Sequence, residues 1–105
     1  MIKVKMKEVF MQKIILNNIE YMVIKDYKDA LNISEILEKF TDYFYDFDYI
    51  VGDYSYDKLR LKGFCKRENE KYQSFNDYDN VDNYLKDYCS YDCKYYILEK
   101  VDKKA

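Results

Sequence analysis

Chemistry in a protein starts from groups that move protons, attack carbon or hold metals. This chain of 105 residues lacks the most versatile of them, since it contains no histidine. That removes histidine-based triads and imidazole acid–base catalysis. Neither a G-x-G-x-x-G turn nor a Walker loop is present, so the usual phosphate cradles are missing as well. Carboxylates are abundant. The stretch DYFYDFDYIVGDYSYD, residues 42–57, holds five aspartates and no cation. Most of that run, including Asp46, Asp48 and Asp57, reads as a solvated surface. Asp53, beside Gly52 at a strand end, stands apart. It can cap turn amides, bind a cation with Asp57, or serve an enzyme that works with carboxylates; turn capping fits the local pattern best.

The next ten residues, KLRLKGFCKR at 58–67, reverse the sign: five cations and no carboxylate. Both glycines and both arginines of the chain lie between Tyr49 and Arg67. In an antiparallel hairpin the acidic arm lies beside the basic one, and the charges neutralise across the strands. The same alternation also builds a surface. Lys58, Arg60, Lys62 and Lys66 share one face with Phe64, while Leu59, Leu61 and Cys65 share the other. Flanked by Tyr54 and Tyr56, that basic face, extended by Arg67, could meet phosphates and stack bases. Arg60 stands where the far commoner lysine would supply diffuse charge, which points to a planar donor requirement. A carboxylate or carbonyl near Gly52-Asp53 is the preferred partner, and an external ligand the alternative. Gly52 and Gly63 mark positions where a side chain does not fit.

Cys65, Cys89 and Cys93 could give zinc three thiolates, but structural zinc takes four ligands with paired short spacings. The expectation is free thiols, with no metal and no cofactor.

These groups need elements to position them. IILNNIEYMVIK reads as a hairpin, with strands at Ile14–Leu16 and Ile19–Lys25 around an Asn17-Asn18 turn. Asn32-Ile33-Ser34-Glu35 has the form of a capping box. Ile33, Ile36, Leu37, Phe40 and Phe44 then recur at helical spacing, predicting a helix that ends near Asp46. Strands follow at Tyr49–Gly52 and Lys58–Lys62, joined by a loop over 53–57. Residues 68–79 are polar, with a short strand conceivable around Tyr72–Phe75. A second helix begins near Asp79 or Asn80, with Val81, Tyr84, Leu85 and Tyr88 inward. Tyr95–Val101 forms the last strand. The order is β-β-α-β-β-α-β, an α+β domain with a small, mostly antiparallel sheet and two helices packed on it. The expected core includes Ile36, Leu37, Phe40, Phe44, Leu59, Leu61, Leu85 and Leu98.

Composition agrees with one globular domain. The chain is 36% charged, 49% hydrophobic and carries a formal net charge of −2, so no global field selects a polyanion or an acidic membrane. The opening MIKVKMKEVFMQK lacks the apolar stretch of a secretory signal, and no run is long enough for a membrane helix. Residues 1–10 read as an N-terminal extension, 11–101 as the domain and 102–105 as a tail. Tyrosine is used 14 times. Like lysine, asparagine, aspartate and isoleucine it has A/T-rich codons, so genome bias accounts for much of that excess.

Two stretches carry a resemblance. YIVGDYSY at 49–56, followed by LRLKGF at 59–64, resembles the signature of the YutD-like family of small cytosolic proteins from Firmicutes and their relatives. YCSYDCKYYIL at 88–98 is similar to that family's C-terminal motif, and the likeness runs from about Met11 to Val101. Ser55 and Asp92 stand where the family usually has glycine. The resemblance implies an α+β domain in the cytoplasm and implies no particular activity. The residues themselves favour a non-enzymatic interaction module that contacts a protein through the 49–67 hairpin, with Asp53, Tyr54, Tyr56, Lys58, Arg60, Lys62 and Phe64 as the contact set. RNA or single-stranded DNA bound by Lys58, Arg60, Lys62, Lys66 and Arg67 comes second, and carboxylate catalysis near Asp53 third.

Overall fold

The computed structural model describes residues 12–88 and 93–101. The expectations for residues 1–10, for the 102–105 tail and for Cys89 fall outside them. No helix among the described residues is long and apolar enough to cross a membrane.

Among the described residues, five strands form one antiparallel sheet in the order β1-β2-β5-β3-β4. They are β1 (Lys13–Leu16), β2 (Ile19–Tyr27), β3 (Tyr49–Ser55), β4 (Lys58–Phe64) and β5 (Tyr95–Lys100). Two helices among the same residues, α1 (Ile33–Lys39) and α2 (Val81–Tyr88), complete the order expected from the sequence. Asn17 and Asn18 turn the first hairpin with φ of 50° and 70°, the left-handed region that asparagine tolerates and a two-residue turn requires.

The alternation of β3 divides the core. Ile50 and Tyr54 join one apolar cluster with Ile36 of α1, Phe40, Phe44, Leu59, Cys65, Tyr96 and Leu98. Tyr49 and Val51 join a second cluster with Phe64, Ile97 and Val81 of α2. The two helices therefore cover opposite faces, and β3 is buried from both sides. That sandwiching explains the glycines. A Cβ on Gly52 would overlap the Tyr96 ring, and one on Gly63 the Phe47 ring. The close neighbour is an aromatic side chain in each case, not another backbone.

Several elements depart from the sequence reading. The expected helix to Asp46 stops at Lys39. Asn32 caps its start by accepting from the Glu35 N–H at 3.1 Å, but Phe40 turns extended, with ψ of 116°. Thr41 then caps a separate 3-10 turn over Asp42–Phe44. This break packs Phe40 against both Phe44 and Tyr21, with ring centroids 5.8 Å apart in each pair. The seven-residue helix buries only Ile36, so Leu37, expected in the core, lies on the surface at 43% exposure, and Ile33 is also exposed. Leu61 and Leu85 are half-buried. The expected 53–57 loop is strand through Ser55, and only Tyr56 and Asp57 turn, with φ of 52° and 64°. Gly52 is thus mid-strand. The strand conceived at Tyr72–Phe75 is instead a 3-10 turn over Ser74–Asn76.

Candidate partner-binding site

Register decides which charges of the hairpin meet. Lys58 lies opposite Ser55, Arg60 opposite Asp53, Lys62 opposite Val51 and Phe64 opposite Tyr49. Only one cross-strand pair therefore joins opposite charges. Asp53 is fully buried and Arg60 donates to its Oδ2 at 2.5 Å. Tyr84 of α2 donates to Oδ1 at 3.2 Å. The Asp53 hydrogen bond, ahead of other influences, raises the already high pKa of Arg60, and the same guanidinium donates to the Tyr88 carbonyl at 2.5 Å. The partner preferred for Arg60 lies inside the molecule: Nη2 alone serves both Asp53 and the Tyr88 carbonyl, while Nε is buried without a partner, so one side chain ties β3, β4 and the end of α2 together without the planar fork expected of it. Burial, with Asp53 adding to it, pushes the Tyr84 phenol up to about 12, so it stays a donor at neutral pH.

The remaining cations separate into engaged and free. Lys66 pairs with Glu99 at 3.5 Å, and Arg67 with Asp77 at 3.1 Å. Asp77 also accepts from the Tyr72 hydroxyl at 2.8 Å and caps the turn before α2 through the Asp79 N–H. Those hydrogen bonds, the Asp79 N–H first, lower its pKa. Lys58 is exposed and Lys62 half-buried, and among the described residues neither makes an ion pair. The Lys62 ammonium lies 5.1, 5.5 and 5.9 Å from the ring centroids of Phe64, Phe75 and Tyr84. Burial lowers its pKa, and the ring faces offset part of that desolvation.

Lys62, Phe64, Phe75, Tyr84 and Tyr88 line a groove of about 330 Å³ between β4 and α2, rimmed by Asn80, Asn83 and Asp87. Phe75 is 71% exposed and Tyr88 58%. Beyond Phe75 lies a second depression of about 320 Å³ that includes Tyr43, Asp46 and Lys71. Phe75 is thus a ridge between two hollows.

The structure brings together only part of the contact set named from sequence. Lys62 and Phe64 line the groove, Phe64 as a fully buried floor. Asp53 and Arg60 lie beneath as the pair that fixes the walls. Tyr54 is on the opposite face, buried, its hydroxyl donating to Glu35 and its ring under the Lys94 ammonium at 4.5 Å. Tyr56 is at the turn tip, 95% exposed and apart from the groove lining. Sequence reasoning missed Phe75. Its signal was there, a lone phenylalanine in an otherwise polar run, but polar side chains hold that loop in place. Asp48 accepts from the Lys66 N–H and from Asn69. Buried Asn76 accepts from Gln73 N–H and donates to the Lys71 carbonyl.

Two of the three cysteines, Cys65 and Cys93, lie among the described residues. Cys65 is a free, fully buried thiol whose pKa burial raises. Cys93 is disulfide-bonded, which corrects the expectation of free thiols throughout. Sparse cysteines argue against a disulfide framework, and that argument does not reach a single bridge. A bridged sulfur is no thiolate ligand, so the weak zinc set loses Cys93. Among the described residues no three potential ligands cluster around a metal position.

Comparison with known proteins places this geometry. Residues 15–99 match the sequence family described as "Putative antitoxin YutD-like". The Bacillus subtilis (strain 168) protein named "Putative antitoxin YutD" is 33% identical over 90 residues, covering 86% of this chain and 99% of that protein. The solution NMR structure of protein yutD from B. subtilis superposes with a TM-score of 0.73 at 32% identity, covering 90% of this chain and 86% of that one.

Proposed function

Because the chain belongs to the YutD-like family, we propose that it is a non-enzymatic binding module that engages a protein through the outer side of the 49–67 hairpin, where β4 meets α2. An antitoxin acts against a toxin, and the name of the B. subtilis relative makes a toxin protein the natural partner for this chain too. The observation that carries the reading is Lys62: a half-buried lysine whose ammonium lies among three rings and makes no ion pair among the described residues, in a groove walled by exposed Phe75 and Tyr88 with Asp87 on its rim. Exposed aromatic side chains around a concave site are the residues in which interfaces are enriched. A phosphate-binding surface would need several free cations in a row, and Arg60, Lys66 and Arg67 are engaged within the chain.

The test is capture from native lysate of the source organism on the immobilised full chain, with and without nuclease. It is repeated with Lys62→Glu and Phe75→Ala, both chosen to leave the melting temperature unchanged. The expected result is one stoichiometric protein, insensitive to nuclease and lost from both variants. Recovered nucleic acid, or a protein held equally by the variants, overturns the proposal.

A further inference from the structure

Among the described residues β4 ends the sheet, and none of them pairs with its outer edge from Leu59 to Gly63. The two-residue turn makes Ser55 and Lys58 a hydrogen-bonded pair, so Lys58, Arg60, Lys62 and Phe64 spend their backbone groups on β3. The Asp48 N–H bonded to the Phe64 carbonyl at 3.0 Å agrees with that phase. Leu59, Leu61 and Gly63 therefore turn their N–H and C=O groups outward. Among the described residues no backbone group meets them. One step further on, the chain already uses this edge: Cys65 N–H donates to the Asn76 carbonyl and the Cys65 carbonyl accepts from Tyr78 N–H, a parallel bridge.

We infer that the β4 edge from Leu59 to Gly63 receives an extended segment of a partner protein by strand addition, and that this segment alternates acidic with apolar residues. The inference rests on the binding reading above and specifies its mode. The chemistry of the occupant follows from β4. On the α2 side the strand presents Lys58, Arg60 and Lys62, of which Lys58 and Lys62 have no ion pair among the described residues. Carboxylates on a neighbouring strand would face them at cross-strand distance. On the other side Leu61 is half-buried beside the α1 core, so the intervening partner residues meet apolar surface. The same charges argue against a second copy. In an antiparallel pairing of β4 with itself, register puts Arg60 opposite Arg60 or Lys62, or Lys62 opposite Lys62, and like charges directly opposite are destabilising. Strand addition through main-chain hydrogen bonds, with side-chain alternation giving specificity, is an established mode of peptide recognition.

The probe is a capped heptapeptide alternating glutamate and valine, added to the full chain and followed by backbone amide NMR and hydrogen exchange. Binding should slow exchange at the Leu59, Leu61 and Gly63 amides. It should be abolished by N-methylating the peptide at alternate residues, and fail for the lysine–valine counterpart. Leu61→Pro removes one outward N–H without touching the β3 ladder, and should weaken binding about five- to tenfold, the equivalent of one hydrogen bond. No binding, binding without protection of these amides, or equal binding of the N-methylated peptide overturns strand addition. Applied to the lysate capture, Leu61→Pro separates the two proposals. A partner bound by Leu61→Pro with wild-type affinity but lost by Phe75→Ala refutes strand addition and leaves the groove reading standing; no partner held by the wild type refutes the groove reading itself.

Discussion

Replacing Arg60 by methionine tests the clamp that shapes the groove. Methionine keeps the apolar stem and removes every donor. What remains is Asp53, with no exposure to solvent, retaining only the Tyr84 hydroxyl. Removing one partner of a buried pair costs about 3–5 kcal/mol, because the other charge stays buried. Arg60 is itself 37% exposed, and water entering its place would relieve part of that charge. The estimate falls to about 2–3 kcal/mol. In a domain of this size that lowers the melting temperature by roughly 10–20 °C. Urea unfolding followed by circular dichroism measures it directly. Arg60→Lys should fall in between, since it keeps a cation beside Asp53 but carries it on a shorter stem than the one that places Nη2 between Asp53 and the Tyr88 carbonyl. The double variant Asp53→Leu/Arg60→Met should recover part of the loss, with a coupling of about 1–3 kcal/mol. If Arg60→Met lies within about 0.5 kcal/mol of wild type, the range of an ordinary surface change, then the pair is not what holds α2 against the hairpin.

Alkali should unfold the domain through its tyrosines. Tyr21 is pushed up to about 12, chiefly by burial. A raised phenol contributes stability that is complete below pH 10 and is lost as pH climbs from 10 to 12. By pH 12 Tyr21 alone should cost about 2–3 kcal/mol. Phenolate absorbance and unfolding should therefore rise together; ionisation near pH 10 in an intact fold would refute this. Gly52→Ala and Gly63→Ala should each destabilise by about 1–3 kcal/mol through overpacking against Tyr96 and Phe47, and neutral variants in urea unfolding would show that those rings move freely. Leu98→Ala should cost about 2–5 kcal/mol, and Leu37→Ala less than about 0.5 kcal/mol. The opposite ranking by thermal melting would invert the phase of α1.

How much of this was legible depended on whether the signal was local. Asn17-Asn18, the Asn32 cap and the alternation of β4 act within a few residues, and each predicted its element. The break after Lys39 was not legible from periodicity, because Phe40 and Phe44 satisfy a continuous helix as well as they satisfy a turn. Their packing against Tyr21, far away in sequence, selects the turn. The site divides the same way. The partner of Arg60 inside the chain could be read from its neighbours. Phe75 stood out as a lone phenylalanine, but its exposure could not be read, since it depends on Asn76 and Asp77 fixing a loop whose partners are Cys65, Arg67 and Tyr72. Nor could the spread of the hairpin's aspartates be foreseen: beyond the Asp53–Arg60 pair, Asp48 is engaged by a backbone N–H and by Asn69 rather than by a facing cation.

That spread is why a basic strand in a mildly acidic protein has work left for its charges. Full neutralisation across the hairpin would require an aspartate opposite each cation, and the β3 residues there are Ser55, Asp53 and Val51. Val51 is buried under α2 and its side chain is needed for the second core cluster; an aspartate there would give up that packing and bury a charge. So the demand for core opposite Lys62 leaves Lys62 without a carboxylate across the strand, and the aromatic groove takes over part of its solvation. Edge strands often carry lysine simply to discourage pairing with other sheets. Lysines serving only that purpose would stand in water, as Lys58 does. Lys62 does not: it is drawn in among three rings, at a cost that burial imposes on its charged form. An arriving carboxylate would restore that charge's partner at the edge where Leu59 and Leu61 offer a strand its hydrogen bonds, and the two demands coincide on one side of β4.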